Sequence, residues 1–346
     1  MARLRSMFGG GSNYAYVTAR VRAMKTDLLP TDTYPKLLAR DVHEIGRFLQ
    51  EGRYRDDVDA LAGRFSGARL IELATRRNMG RDYERVLSFC RGEARALLAL
   101  YLQRYDIFDA KTVLRGVSSR ARAEEIRENL LPGGTVPDTL FEQAMTAGGL
   151  DEAVDVLVTA PQLAAHARER GQPLAALEDA LDRAYYADLL GAIQPSDRAK
   201  QAFLDFIKEE IDIVNLKAVL RLKHAGLSEY ALVPGGRQVD EALVRRLMSA
   251  ARTEVGAVLD ATDYGARVKD ATAVWAETGD LNPVVTAFDR LHVETSQRFS
   301  HLYPLSILPV VDYVLRKRIE ADNLRIIAVG KASALDDETI RSLVMA

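Results

Sequence analysis

The feature that most constrains this chain is that it repeats itself. DIFDAKTVLR (Asp106–Arg115) aligns with DIVNLKAVLR (Asp212–Arg221) at a shift of 106, with six identities in ten positions. EADNLRIIAV (Glu320–Val329) follows 108 residues further on and shares the Asn-Leu pair. Other marks keep nearly the same spacing. Pro132-Gly133-Gly134 recurs as Pro234-Gly235-Gly236 and Pro35 as Pro137, each 102 apart, and Asp182-Arg183 recurs as Asp289-Arg290, 107 apart. Collinear matches at nearly one shift divide the chain into three units, 1–131, 132–233 and 234–346. Units this long exceed the common solenoid repeats of about 20–50 residues, so each is the size of a domain.

Within the units the pattern is helical. Ala, Leu, Arg and Glu are abundant, and all are good helix formers. Apolar residues recur at three and four, as in Ile207, Ile211, Val214, Ala218 and Leu222, which lays one apolar stripe along a helix. Strand-like alternation is scarce. Gly and Pro punctuate the helices at Leu28–Pro35, Leu131–Pro137 and Val233–Val239. Thr33 and Asp138 stand beside these breaks as expected N-caps. The reading is an all-α fold, and apolar residues at 48 % of the chain suffice to fill its cores.

One column of the repeated helix breaks the apolar pattern. Ile211, Asn215 and Val219 are spaced by four and share a face; Ile319, Asn323 and Ile327 repeat this, as do Tyr105, Asp109 and Val113. Burying such a polar group costs about 1–3 kcal/mol unless it is hydrogen-bonded. Asp109, Asn215 and Asn323 are therefore expected to be buried and bonded to backbone, most simply that of a neighbouring helix end. The alternative is a ligand role.

Convergent chemistry is missing from the sequence. The histidines, His43, His166, His224, His292 and His301, show no metal-ligand spacing on a helix turn. His292 and His301 read as surface or interface residues. Gly9-Gly10-Gly11-Ser12 lacks the Gly-Lys of a phosphate loop, and no G-x-S-x-G is present. Glu209-Glu210 and Asp336-Asp337 are adjacent, point apart on a helix and read as solvated faces. Trp275 reads as a packing residue. Cys90 is the one cysteine, so no internal disulfide or thiolate metal site is available; it reads as a small buried apolar group. No cofactor is expected. Lys+Arg 47 against Asp+Glu 49 gives no basic excess, which argues against nucleic-acid binding. The longest apolar run, Ala96–Leu102, is far short of the about 20 residues of a membrane span, so a soluble, cytoplasmic chain is expected. Residues 1–40 are locally basic, with Arg3, Arg5, Arg20, Arg22, Lys25, Lys36 and Arg40 against Asp27 and Asp32. This is either a solvated helix face or a surface for an acidic partner or lipid headgroups.

YAYVTARVRAMKTDLL (Tyr14–Leu29) resembles the opening signature of the C subunit of the archaeal-type (A/V-type) rotary ATPase, the relative of the eukaryotic V-ATPase d subunit. EIDIVNLKAVLRLK (Glu210–Lys223) and RIEADNLRIIAVGK (Arg318–Lys331) resemble its second and third landmarks, and Leu335 with ETIRSLV (Glu338–Val344) resembles its ending. Val329 departs from the pattern, where a basic residue is expected. The resemblance runs from near residue 14 to near 344. It implies a funnel of three similar helical domains around a pseudo-threefold axis. It also implies a peripheral protein at the cytoplasmic face of the membrane, seated on the proteolipid ring and acting as a socket for the central stalk subunits. Such a protein transmits rotation, is not an enzyme and binds no nucleotide or small-molecule substrate. Under this reading Arg20, Arg22 and Lys25 are candidates for part of the seat. A helical-repeat scaffold unrelated to ATPases is the alternative, and an enzyme ranks third.

Overall fold

The computed structural model describes residues 12–164 and 171–345, and within these every regular element is a helix. Arg3, Arg5, Gly9-Gly10-Gly11 and His166 lie outside the described residues. The first unit holds α1 (Tyr14–Lys25), α2 (Thr33–Leu38), α3 (Val42–Glu51), α4 (Arg55–Leu61), α5 (Gly67–Phe89), α6 (Gly92–Ser118) and α7 (Ala123–Arg127). The second holds α8 (Asp138–Met145), α9 (Leu150–Leu157), α10 (Leu174–Ala192) and α11 (Arg198–His224). The third holds α12 (Glu241–Ser249), a 3-10 turn at Arg252–Glu254, α13 (Val255–Leu259), α14 (Gly265–Thr278), α15 (Asn282–Leu302), α16 (Leu308–Ala332) and α17 (Asp337–Leu343).

Local chemistry accounts for many of the helix ends. Asp41 and Glu44 form a capping box at α3: the Glu44 amide donates to Asp41 at 2.8 Å and the Asp41 amide to Glu44 at 3.1 Å. Asp197, Asp240 and Asp336 cap α11, α12 and α17 by accepting the amides of Lys200, Leu243 and Thr339. Pro283 and Pro309 sit in the first turns of α15 and α16, where the missing N–H costs nothing. Thr33 and Asp138 differ from expectation: each is the first helical residue, one position inside the cap. At α8 the extended cap position is taken by Pro137, whose fixed φ suits it to that backbone.

Each unit contains two successive long helices near its end: α5 and α6, α10 and α11, and α15 and α16. These helices pack across units. α6 lies against α10, α11 against α15, and α16 against α5, so the packing closes from the last unit back to the first. The cores follow the same rule. Leu216, Val219 and Leu220 of α11 are buried with Leu243, Val255, Trp275 and Phe288 of the third unit. Leu324, Ile327 and Ala328 of α16 are buried with Leu37, Ile45, Val58 and Ile71 of the first. Val113 and Leu114 of α6 are buried with Phe141, Val154 and Leu177 of the second, in a core that runs on into Leu98, Phe206 and Val310 of the three long helices. The C-terminal half of each long helix thus fills the core of the next unit. Among the described residues no helix is long and apolar enough to cross a membrane.

Candidate functional site: the joints between units

The polar column lies at these joints. Asn215 is 2 % exposed and grips the backbone of residue 233 twice: its Nδ2 donates to the Val233 carbonyl and its Oδ1 accepts the Val233 amide, both at 2.9 Å. Asn323, fully buried, repeats this with Met345 at 2.7 and 2.9 Å. Asp109 accepts the Leu131 amide at 2.7 Å. Leu131 and Val233 lie in irregular segments, whereas Met345 follows directly on the end of α17, the neighbouring helix end that the sequence leads one to expect. Burial pushes the Asp109 carboxyl up to about 8, against the lowering pull of that amide. A protonated carboxyl is nearly isosteric with the amide its two counterparts carry.

A second polar column, one turn earlier, does not stand out in the sequence. Asp106, buried, accepts the amides of Thr135 and Val136 and the Thr135 hydroxyl at 2.8–2.9 Å. Asp212, fully buried, accepts the amides of Arg237, Gln238 and Val239 at 3.0, 2.8 and 3.1 Å, and the Tyr264 hydroxyl at 2.8 Å. These clips explain the repeated Pro-Gly-Gly. Gly133 and Gly235 have φ of +117° and +97°, which a side chain opposes. Gly134 and Gly236 lie against the carboxylates, where an added Cβ would overlap Asp106 Oδ1 and Asp212 Oδ1. The loop must be side-chain-free for its following amides to reach the acid. Glu320 stands at the third position and accepts from Leu29 N and the Tyr54 hydroxyl, while Lys317 Nζ, fully buried, lies 2.8 Å from it.

Ion pairs complete the joints. Lys111 pairs with Asp182, and Lys217 with Asp289 at 2.5 Å. These pairs correspond, because the lysines are 106 apart and the aspartates 107. Glu210, 4 % exposed, corrects the reading of Glu209-Glu210 as a solvated face, and Glu209 is buried beside it. Arg104 of α6 grips Glu210 of α11 with both terminal nitrogens at 2.9 and 3.1 Å, and the Tyr186 hydroxyl donates at 2.9 Å. Burial acts to raise the Glu210 carboxyl, but Arg104 and His292 outweigh it and hold it well below the usual carboxylate range. His292 Nε2 of α15 lies 3.1 Å from Glu210, so residues of all three units meet at this carboxylate.

The basic N-terminal residues are not brought together as one free patch. Arg20 is exposed with its guanidinium 4.6 Å above the Phe89 ring, and Arg22 is exposed. Lys25 turns inward and pairs with the fully buried Asp312 of α16, which also accepts from Arg316 Nε at 3.1 Å. Cys90 is free and buried, and burial pushes its thiol up to about 12. Trp275 is buried in the third core. Among the described residues no group of three His, Cys, Asp or Glu side chains could hold a metal ion.

Fold and joints together define a class: an all-helical protein of successive long-helix pairs whose buried polar groups tie one unit to the next. Comparison with known proteins makes this specific. Residues 17–343 match the model of the ATP synthase (C/AC39) subunit family. The chain is similar to the A-type ATP synthase C subunit of Methanosarcina acetivorans, 37 % identical over 338 residues that cover 96 % of this chain and 92 % of that one. It is similar to the proteins of the same name from Methanococcoides burtonii (35 % over 339 residues; 96 % and 94 % covered) and Haloferax volcanii (34 % over 342; 96 % and 97 %). The chain belongs to the ATP synthase (C/AC39) subunit family.

Proposed function

We propose that this chain is the non-catalytic central-stalk connector of an A/V-type ATP synthase, seating the rotor stalk on the membrane proteolipid ring and coupling rotation to ion transport. In this reading 1–131, 132–233 and 234–346 are three similar domains around a pseudo-threefold axis, forming a funnel at the cytoplasmic face of the membrane. The family match over 17–343 carries the assignment. The cyclic packing of α6 on α10, α11 on α15 and α16 on α5 supports the threefold arrangement. A coupler must carry torque without unfolding, and units that share cores transmit load through packed side chains rather than linkers. A ring of different symmetry favours a broad seat in which exposed charges such as Arg20 and Arg22 speed association. The test is to strip the chain from a purified complex and ask whether the catalytic head and stalk rebind proteolipid-containing membranes. Rebinding should require the chain; rebinding without it would refute the connector role.

A further inference from the structure

The three joints are not closed alike. After α6 and α11 the chain's own Pro-Gly-Gly loop fills the joint: Pro132 lies against Gly80, and Gly235 against Leu190. After α16 the extended segment held by Asn323 lies at Met345, and the loop position is taken by the N-terminal segment, in which Leu29 and Pro30 correspond to Leu131 and Pro132 at the shift of 102. This segment does not fill the space. A cavity of about 500 Å³ remains between Leu29 and Thr31 on one side and Arg290, Val293, Gln297 and His301 of α15 on the other. Gln297 corresponds to Leu190 at the shift of 107, and where Leu190 lies against Gly235 in the second unit, Gln297 lines the cavity here.

The charges around the cavity are unevenly satisfied. Lys25 and Arg316 are both committed to Asp312, and Glu320 to Lys317 and Tyr54. Arg290 and His301 are exposed on the α15 wall, and among the described residues no carboxylate pairs with either. The slot thus has the place of a short extended loop, an apolar floor at Leu29 and Val293, and an unneutralised cation.

We propose that this seam is a docking slot for a short extended segment of another subunit of the same complex, with a carboxylate of that segment set against Arg290. The proposal rests on the chain being a subunit of a multi-subunit ATP synthase. The experiment places benzophenone-maleimide on Gln297→Cys, Cys90 being buried, and irradiates the assembled complex. The expected product is an adduct with a peptide of another subunit that contains Asp or Glu. Arg290→Glu on the same background should cut its yield by roughly five-fold, the scale of one exposed charge pair. A labelled chain that is excluded from the complex, while the same label at Arg298→Cys is accepted, supports the slot equally. In parallel, unlabelled Arg290→Glu and Gln297→Trp should weaken assembly without moving the melting temperature of the isolated chain. Adducts only with this chain, a second copy or lipid overturn the proposal, as does wild-type assembly of both unlabelled variants. Those results leave the connector role standing, because it is read from rebinding of the head.

Discussion

The sharpest consequence of the joints is carried by a single methyl group. Ala at position 236 would place its Cβ within 3.2 Å of Asp212 Cγ and closer still to Oδ1. Neither side can yield easily: Asp212 is fully buried on a long helix, and the loop is held by amides at 237, 238 and 239. Relief requires the loop to back away, lengthening bonds of 3.0, 2.8 and 3.1 Å past useful range. A hydrogen bond to a charged group contributes about 1.5–3 kcal/mol, so losing one or two gives a cost of about 2–5 kcal/mol for Gly236→Ala. At roughly 2 °C per kcal/mol for a chain of this size, the midpoint falls by roughly 4–10 °C. Gly46→Ala is the control. Nothing lies within 4 Å of the added Cβ in the middle of α3, so it should stabilise by about 0.5–1 kcal/mol. Scanning calorimetry on the isolated chain reads both. Equal midpoints for Gly236→Ala and wild type would falsify the carboxylate-clip account of the Pro-Gly-Gly loops.

Asp109 predicts a pH dependence. Its folded value near 8 lies above the ordinary carboxylate value of about 4. The stability linked to its bound proton is complete below pH about 4 and is lost as pH rises through 8. Asp109→Asn, the residue used at 215 and 323, removes that loss and should stabilise the chain by about 1–3 kcal/mol at pH 8 but little at pH 4; a constant difference in urea midpoint across this range would contradict it. The Cys90 thiol is buried and raised to about 12, so disulfide reagents should label it at the rate of unfolding; immediate reaction in the native state would rule this out. Arg20→Glu with Arg22→Glu should slow assembly several-fold at low salt and little at high salt, since both are exposed; Lys25→Glu should instead unfold the seam by facing Asp312. Assembly indifferent to the arginine pair at either salt would mark them as a solvated face.

The helices are legible in the sequence because apolar spacing of three and four persists through every unit, and the joints are partly legible because a repeat exposes its own exceptions. A polar residue between two apolar neighbours recurring at 109, 215 and 323 stands out against its surroundings. Asp106, Asp212 and Glu320 do not, although they open the matched segments, because an acid at the start of a motif looks like any surface acid. The partners of the two aspartates are loop amides 25–30 residues away, visible only once the chain is folded. The available signal is the paired repetition of Asp with Pro-Gly-Gly. Glu210 misleads for a related reason. Adjacent acids suggest a wet face, but α11 is packed on several sides, and its guanidinium partner Arg104 lies 106 residues away. Lys25 belongs by local charge to a basic surface, whereas the buried Asp312, 287 residues distant, turns it inward.

The proposed role, transmitting rotation without doing chemistry, is read out by the ratio of ion uptake to ATP hydrolysis in sealed vesicles bearing the complex, first without the chain and then with it restored. The connector account predicts that hydrolysis by the head continues without the chain while uptake stops, and that adding the purified chain restores uptake in proportion to the amount bound. Ion uptake at the intact ratio in its absence would contradict the account.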